Sequence, residues 1–372
     1  MRKIVLFIRS LEIGGAERQL VALATGLHRR GENVHVLTFY PGGSLRPELE
    51  AAGVAVTDLG KQGRWDVFRF IWRLWQWLRR YRPDVVYSWL PTANTLAAIV
   101  GRLARVPRIV WGVRASDYDF SHLGWIYRFD FLATRIAARW ADRIICNSEQ
   151  GLRFHAAQGY PREKMCVIEN GIDTDRYSFD PEGRRRLRDD WKVGTGEAAI
   201  GLVARLDPIK GHEIFLQAAA LLARERDNVR FICIGDGPVA YLSKLQALSE
   251  SLGVAGRVVW AGPCSDMAAV YSALDIATSS SHSEGFSNSI AEAMASERPC
   301  VVTDVGDSRR IVGETGWVVS ANSAEALAKC WDEALKLPAA DISRRGVSSR
   351  YRVVHNFSVA RMVERTLEQL WQ

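Results

Sequence analysis

The sequence predicts an α/β protein built from two parallel-sheet domains, and three observations predict it. Apolar runs of strand length alternate with helix-length segments, and they do so in two successive series. The first series stops at a turn signal, Asn170-Gly171, after which comes a polar segment rich in arginine, through Arg184 to Arg188. A length of 372 residues with 48% hydrophobic content is enough for two separate cores.

The first series has apolar runs at 4–8, 34–39, 54–56, 84–88, 108–113 and 143–146. The opening Met1-Arg-Lys-Ile-Val-Leu-Phe-Ile-Arg9 reads as a buried strand and not as a signal peptide, and no apolar run reaches membrane-spanning length. The expected location is therefore cytoplasmic. In this architecture ligands bind at the carboxyl ends of strands. The first such loop is Ser10 to Glu17, where the adjacent Gly14 and Gly15 let backbone amides approach a ligand, or simply turn the chain into a helix carrying Leu20, Val21, Leu23 and Ala24.

Residues 65–81 predict a helix with Val67, Phe68, Ile71, Leu74, Trp75 and Leu78 on the face that packs on the sheet. Trp65, Phe70, Trp72 and Trp77 flank that stripe, and Arg69, Arg73 and Arg80 lie opposite. Such a helix suits an anionic membrane surface, or equally one that buries its flanks against its neighbours. Charge is unevenly spread. Residues 1–170 hold 25 Lys/Arg against 15 Asp/Glu, whereas residues 171–372 hold 24 against 27, so the first half expects the acidic partner. Eight of the 13 tryptophans are in that half, and no nucleic-acid recognition motif accompanies them. The stretch Trp111 to Asp119 follows a strand, and its Arg114 and Asp117 are candidates for contact with a ligand. Asp117-Tyr-Asp119 and Asp173-Thr-Asp175 imitate a metal motif but read better as turns, so no metal is assigned.

The second series has strands near 198–203, 229–234, 257–260, 274–278 and 300–302, the last of which is expected to be the final strand before helices to the end. Phe231-Ile-Cys-Ile-Gly235-Asp-Gly237 lacks the complete dinucleotide fingerprint. Two patches carry the chemistry. Gly201-Leu-Val-Ala-Arg205-Leu-Asp-Pro-Ile-Lys210-Gly211 is a strand that breaks at Pro208 and delivers a guanidinium fork and an ammonium point charge. Ser279-Ser-Ser-His-Ser-Glu284-Gly285-Phe286-Ser287-Asn288-Ser289-Ile-Ala-Glu292 is a strand end, a polar loop and a helix start, whose free N–H groups and dipole favour an anion. Glu284 and Glu292 bracket that helix start, either as holders of diols or as solvated carboxylates. The six cysteines show no metal-ligand spacing and read as reduced core residues.

The Arg-Leu-Asp-Pro-x-Lys-Gly and Glu-Gly-Phe-Ser-Asn segments, with the Glu-x7-Glu spacing, resemble family 4 of the retaining glycosyltransferases (group 1, GT-B fold) along essentially the whole chain. The resemblance implies two facing Rossmann-like domains with a cleft between them. Residues 1–172 would bind the acceptor, 173–355 the nucleotide sugar, and 356–372 would form a helix crossing back to the first domain. It implies a metal-independent retaining hexosyltransferase with no cofactor. Arg205, Lys210 and Glu284 would be catalytic. Gly14, Gly15, Gly285, Phe286, Ser287, Asn288, Ser289 and Glu292 would join them in binding the donor, a UDP-sugar first and GDP-mannose second. Arg114 and Asp117 would contact the acceptor or sugar, near the place where the resembled family often carries a histidine that this sequence lacks. With the Trp and Arg excess, the acceptor expected is a lipid-linked glycan or polysaccharide of a bacterial surface, reached from the cytoplasmic face of the inner membrane. A nucleotide-sugar epimerase of the same architecture and a non-catalytic envelope scaffold are the rival readings.

Overall fold

The computed structural model describes residues 2–63, 65–114 and 132–372, which divide into two compact units, Met1–Gly171 with Val359–Gln372, and Ile172–Ser358. No helix among the described residues is long and apolar enough to cross a membrane.

The described residues of the first unit form one parallel sheet of seven strands: β1 (Lys3–Ile8), β2 (Asn33–Thr38), β3 (Ala55–Asp58), β4 (Val85–Trp89), β5 (Arg108–Val113), β6 (Arg143–Cys146) and β7 (Met165–Val167), in the order β3-β2-β1-β4-β5-β6-β7. The helices used below are α1 (Gly15–Arg29), α2 (Arg46–Ala51), α3 (Val67–Tyr81), α4 (Pro91–Leu103) and α5 (Glu149–Ala157). Successive side chains of a strand point to opposite faces. Hence Val5 and Phe7 of β1 enter one core with Phe70, Leu74 and Leu78, while Ile4, Leu6 and Ile8 enter another with Leu20, Leu23 and Leu27. A strand covered on both sides must be apolar throughout, which is why these runs show no alternation.

Helix α3 differs in part from its helical wheel. Leu74 and Leu78 of the expected face are buried and Ile71 and Trp75 pack on the same core, joined by Phe70, Trp77 and Tyr81, whereas Val67 is 44% and Phe68 89% exposed. The i, i+4, i+8 stripe is narrower than the apolar arc of the sequence, so part of that arc stays outside. Arg73 is not simply solvated, since it donates to the carbonyls of Leu59 (2.9 Å) and Gly60 (2.6 Å).

The second unit has, among its described residues, six parallel strands: β8 (Ala198–Val203), β9 (Val229–Ile234), β10 (Val258–Gly262), β11 (Ile276–Ser279), β12 (Cys300–Thr303) and β13 (Trp317–Val319), ordered β10-β9-β8-β11-β12-β13. β13 follows the strand expected to be last. It is three residues long and pairs only with β12, too short a run to stand out in the sequence. Helices α6 (Pro181–Asp190), α7 (His212–Glu225), α8 (Val239–Ser251), α9 (Met267–Ala273), α10 (Asn288–Ala295), α11 (Ser308–Val312), α12 (Ala324–Leu335) and α13 (Ala339–Asn356) complete it. The arginine-rich segment after the turn is α6, and two of its arginines face inward. Arg184 and Arg188 hold the Asp275 carboxylate at 2.6 and 2.9 Å, just ahead of β11. Burial alone would raise the Asp275 pKa, but the two guanidiniums and the Ala199 N–H lower it below the usual carboxylate value.

Helix α14 (Val359–Trp371) belongs to the first unit. Its Met362, Val363 and Leu370 join the Leu20, Leu23 and Leu27 core, and Gly26 of α1 gives it room, because a Cβ there would lie 2.6 Å from a Val363 methyl. Gln19 clamps the point where the chain leaves this unit, donating to the Gly171 carbonyl (3.0 Å) and accepting from its N–H (2.8 Å).

Candidate active site

In the second unit the strand order reverses between β8 and β11, the place where open parallel sheets carry ligands at their carboxyl ends. Two loops leave the sheet there. After β8 the chain runs Ala204 to Asp207 into a short turn, Pro208–Lys210, that Asp207 caps by accepting from the Ile209 N–H at 3.1 Å. Gly211 then adopts φ +67°, and a Cβ on it would lie 2.0 Å from the Ser280 carbonyl oxygen. Only glycine fits both demands. The loop after β11 is stitched to it: the Ser280 hydroxyl donates to the Gly211 carbonyl (2.9 Å) and the His282 N–H to the Ile209 carbonyl (2.8 Å). A third loop closes from the other side, with Gly306 (φ +55°) against the Glu284 carbonyl and the Asp307 N–H donating to Gly285 (3.0 Å).

This stitching brings Lys210 and Glu284 together across 74 positions of sequence, Nζ to Oε1 at 2.6 Å. The same oxygen accepts from the Ser281 hydroxyl at 2.7 Å. Arg205 goes elsewhere. It is 69% exposed and pairs with Asp207 at 2.6 Å, a carboxylate that the sequence reading passed over. Burial acts to raise the Asp207 pKa, but the Ile209 N–H, Arg205 and Lys210 together lower it. Helix α10 starts beside these groups at Ser287, whose side chain makes no cap, and no acidic residue occupies its first turn. The first turn itself therefore supplies no acidic side chain to its own amide donors. Asn288 and Ser289 are half-buried there. The Phe286 ring is buried and packs on Phe357 at 5.5 Å, so this residue offers a ligand its backbone and not its ring. Glu292, in the second turn, accepts from the buried Tyr271 hydroxyl at 2.7 Å, and burial together with that carboxylate raises the Tyr271 pKa well above its ordinary value. Chemically the cluster can hold an oxyanion on amides and cations and a diol on carboxylates.

Two more residues of this cluster went unnoticed in the sequence. Tyr271 is one, and only its place in an apolar helix signalled it. His212, directly after the Lys-Gly pair, is the other. It is fully buried, and burial, with Lys210 nearby, pushes its pKa down to about 4.

The first unit also reverses strand order, between β1 and β4. Gly14, ahead of α1, has extended backbone. A Cβ there would meet the Glu17 carboxylate at 2.2 Å, so the residue that needs the space is Glu17. Gly15 opens α1. Arg114 stands just past β5, with its guanidinium carbon 3.5 Å from the centre of the Trp89 ring. It donates to Asn170 Oδ1 (2.9 Å) and to the Tyr87 hydroxyl (3.2 Å). Burial lowers the Arg114 pKa and raises that of Tyr87 to about 12, so a cation sits beside a neutral phenol. Gly112 leaves room for the indole, whose ring atoms would lie 3.3 Å from a Cβ there. Leu90, next to Trp89, has φ +76° and ψ 154°, a conformation costing a non-glycine residue about 1–3 kcal/mol. Asp117 lies outside the described residues. No cluster of metal-ligating side chains occurs among the described residues.

Comparison with known proteins shows what the chain as a whole is similar to. A family model described as Glycosyltransferase Family 4 matches residues 13–176, and one described as Glycosyl transferases group 1 matches residues 197–336. The chain is 25% identical over 292 residues to "Putative glycosyltransferase EpsD" of Bacillus subtilis (strain 168), covering 76% of this chain and 75% of that protein. It is 33% identical over 224 residues to D-inositol 3-phosphate glycosyltransferase of Mycobacterium tuberculosis (strain F11); the match covers 58% of this chain and 45% of that protein, under half its length. The crystal structure of Anabaena Alr3699/HepE in complex with UDP-glucose superimposes with a TM-score of 0.86 over 99% of both chains at 23% identity, a likeness of fold.

Proposed function

Because the chain belongs to glycosyltransferase family 4 and has two Rossmann-like units of the GT-B type, we propose that it moves a hexose from a nucleoside diphosphate to a hydroxyl of a glycan or lipid-linked acceptor with the anomeric configuration kept. The observation that carries this reading is the Lys210–Glu284 pair at the strand reversal, beside the uncapped start of α10. On this reading the anomeric C–O bond to phosphate breaks, the acceptor oxygen forms the new bond on the same face, and its proton passes to the departing phosphate oxygen. Lys210, Arg205 and the α10 amides stabilise the negative charge that grows on the diphosphate, and no metal is needed for that role. Glu284 and Glu292 hold sugar and ribose hydroxyls. Gly14 and Gly15 are assigned to the donor by the family resemblance alone. UDP is the favoured nucleotide, supported by the HepE complex with UDP-glucose.

The acceptor is read as lipid-linked, met at an anionic membrane surface in bacterial surface-polysaccharide synthesis. Its support is the exposed apolar surface of the first unit: Trp65, Phe68 and Trp72 on and beside α3, and Leu103, Ile136 and Trp140 on and beside α4. Residues 1–170 also carry a basic excess, 25 Lys/Arg against 15 Asp/Glu.

Calorimetric titration of UDP, GDP, ADP and CMP tests the donor site. We expect UDP to bind and Lys210→Ala to weaken it by about 1–3 kcal/mol, the size of a charge-assisted contact. Failure of every nucleotide to bind would remove the transferase reading.

A further inference from the structure

Arg114 is a half-buried cation whose partners, among the described residues, are a phenol, an amide and an indole face, with no carboxylate among them. Its pKa is shaped by burial, Tyr87 and Cys146, again without an acid. Arg184 and Arg188 share Asp275, Arg226 has Asp332, and Arg365 has Glu169, whereas Arg298 and Arg350 are answered by backbone carbonyls. Arg114 has neither a carboxylate nor a backbone carbonyl among the described residues. A guanidinium withdrawn from water is costly unless an anion compensates it. Among the described residues its partners are neutral and orient the fork without an opposing charge, and Nε is sealed from solvent with no acceptor there.

The position is equally particular. Arg114 lies at the carboxyl edge of β5, where a parallel sheet presents ligands, and everything beneath it is fixed. Trp89 and Tyr87 are fully buried, and Asn94 ties Ser88 (2.8 Å) to the Gly112 carbonyl (3.1 Å). The strained Leu90 backbone holds that corner. A rigid platform under a partly exposed, uncompensated fork is a pre-organised receptor for an oxyanion.

Resting on the transferase reading, we propose that Arg114 is the anion subsite of the acceptor, and that the acceptor carries a phosphate or diphosphate group which the guanidinium binds. The phosphate belongs either to a soluble sugar phosphate or to a prenyl diphosphate carrier.

The test is calorimetric, on UDP-saturated protein, with glucose, glucose 6-phosphate and geranyl diphosphate in detergent as probes against wild type, Arg114→Lys and Arg114→Gln. At least one phosphorylated probe should bind the wild type about tenfold or more tighter than glucose, as a charge-assisted bond requires. Arg114→Gln should erase that preference, and Arg114→Lys, which keeps the charge without the fork, should retain part of it. Tighter binding of the sugar phosphate or of the prenyl diphosphate identifies the source. Equal binding of glucose and both phosphates, or an undiminished preference in Arg114→Gln, overturns the proposal. Should Arg114→Gln not fold, competition on wild type decides: inorganic phosphate displaces the bound probe if the proposal holds, and failure to displace it overturns it. Titration of UDP into nucleotide-free wild type separates the two readings. UDP bound without phosphate preference sinks this inference alone, whereas absence of UDP binding sinks the transferase reading and this inference with it.

Discussion

At the scale of single residues the donor-side loops are held by steric necessity. Gly211 must have positive φ and must also lie against the Ser280 carbonyl, so Gly211→Ala forces the β8 and β11 loops apart. Thermal unfolding should show a loss of at least about 1–3 kcal/mol, and an unchanged melting temperature would contradict the close approach. His212 makes a second prediction, this time in pH. Its folded pKa of about 4 is below the ordinary 6.5, so protonation favours the unfolded chain. The neutral ring's contribution is complete above pH 6.5 and is lost as pH falls toward 4, on the order of 3 kcal/mol in all. Denaturant midpoints measured across that window should decline in the wild type and decline less in His212→Leu. Much of this cluster was legible, because Arg205, Lys210, Glu284 and Glu292 belong to short motifs. Which cation meets which carboxylate was not. The Lys210–Glu284 and Arg205–Asp207 pairs depend on how two loops are sutured, and that is decided by Gly211 and Ser280 across the sheet.

Elements were read with uneven success, and burial explains the difference. Runs such as Ala198–Val203 and Val229–Ile234 are covered on both faces, so their composition alone marks them as strands. Helix α3 is covered on one narrow stripe, and a sequence rich in aromatics on every side cannot say which stripe that is. The structure answers with Phe70, Leu74 and Leu78 inside, and Trp65, Phe68 and Trp72 outside. Trp77 stacks on Tyr81 at 4.6 Å and belongs to the packed side. Vesicle sedimentation should therefore respond to the outer set. Replacing Trp65, Phe68 and Trp72 together by serine should release the protein from anionic vesicles with little loss of fold, and retention of full binding would exclude α3 as the contact. Helix α6 teaches the converse lesson. Its arginines look like surface charge in the sequence, yet Arg184 and Arg188 reach carbonyls and the Asp275 carboxylate at the base of β11.

At the scale of the whole molecule the first unit is discontinuous in sequence and the second is not. Residues 172–358 carry their own sheet and cores, whereas the first unit borrows α14 to cover Leu20, Leu23 and Leu27. A protein ending at Ser358 should then show two separated melting transitions, with only the first unit's lowered by several kcal/mol, in the range of lost core side chains. A single unshifted transition would contradict the role of α14. The two passages of the chain run side by side, with the Ile172 N–H donating to the Phe357 carbonyl at 2.7 Å and Gly171 pressed against Val359. On the ribosome this routing inverts the order of birth. The unit whose synthesis begins first is finished last, after all of residues 172–358 have emerged and closed on themselves. Until then its α1 face is an open greasy surface that chaperones are equipped to shield, and a nascent chain stalled before Val359 would display one finished body and one unfinished one.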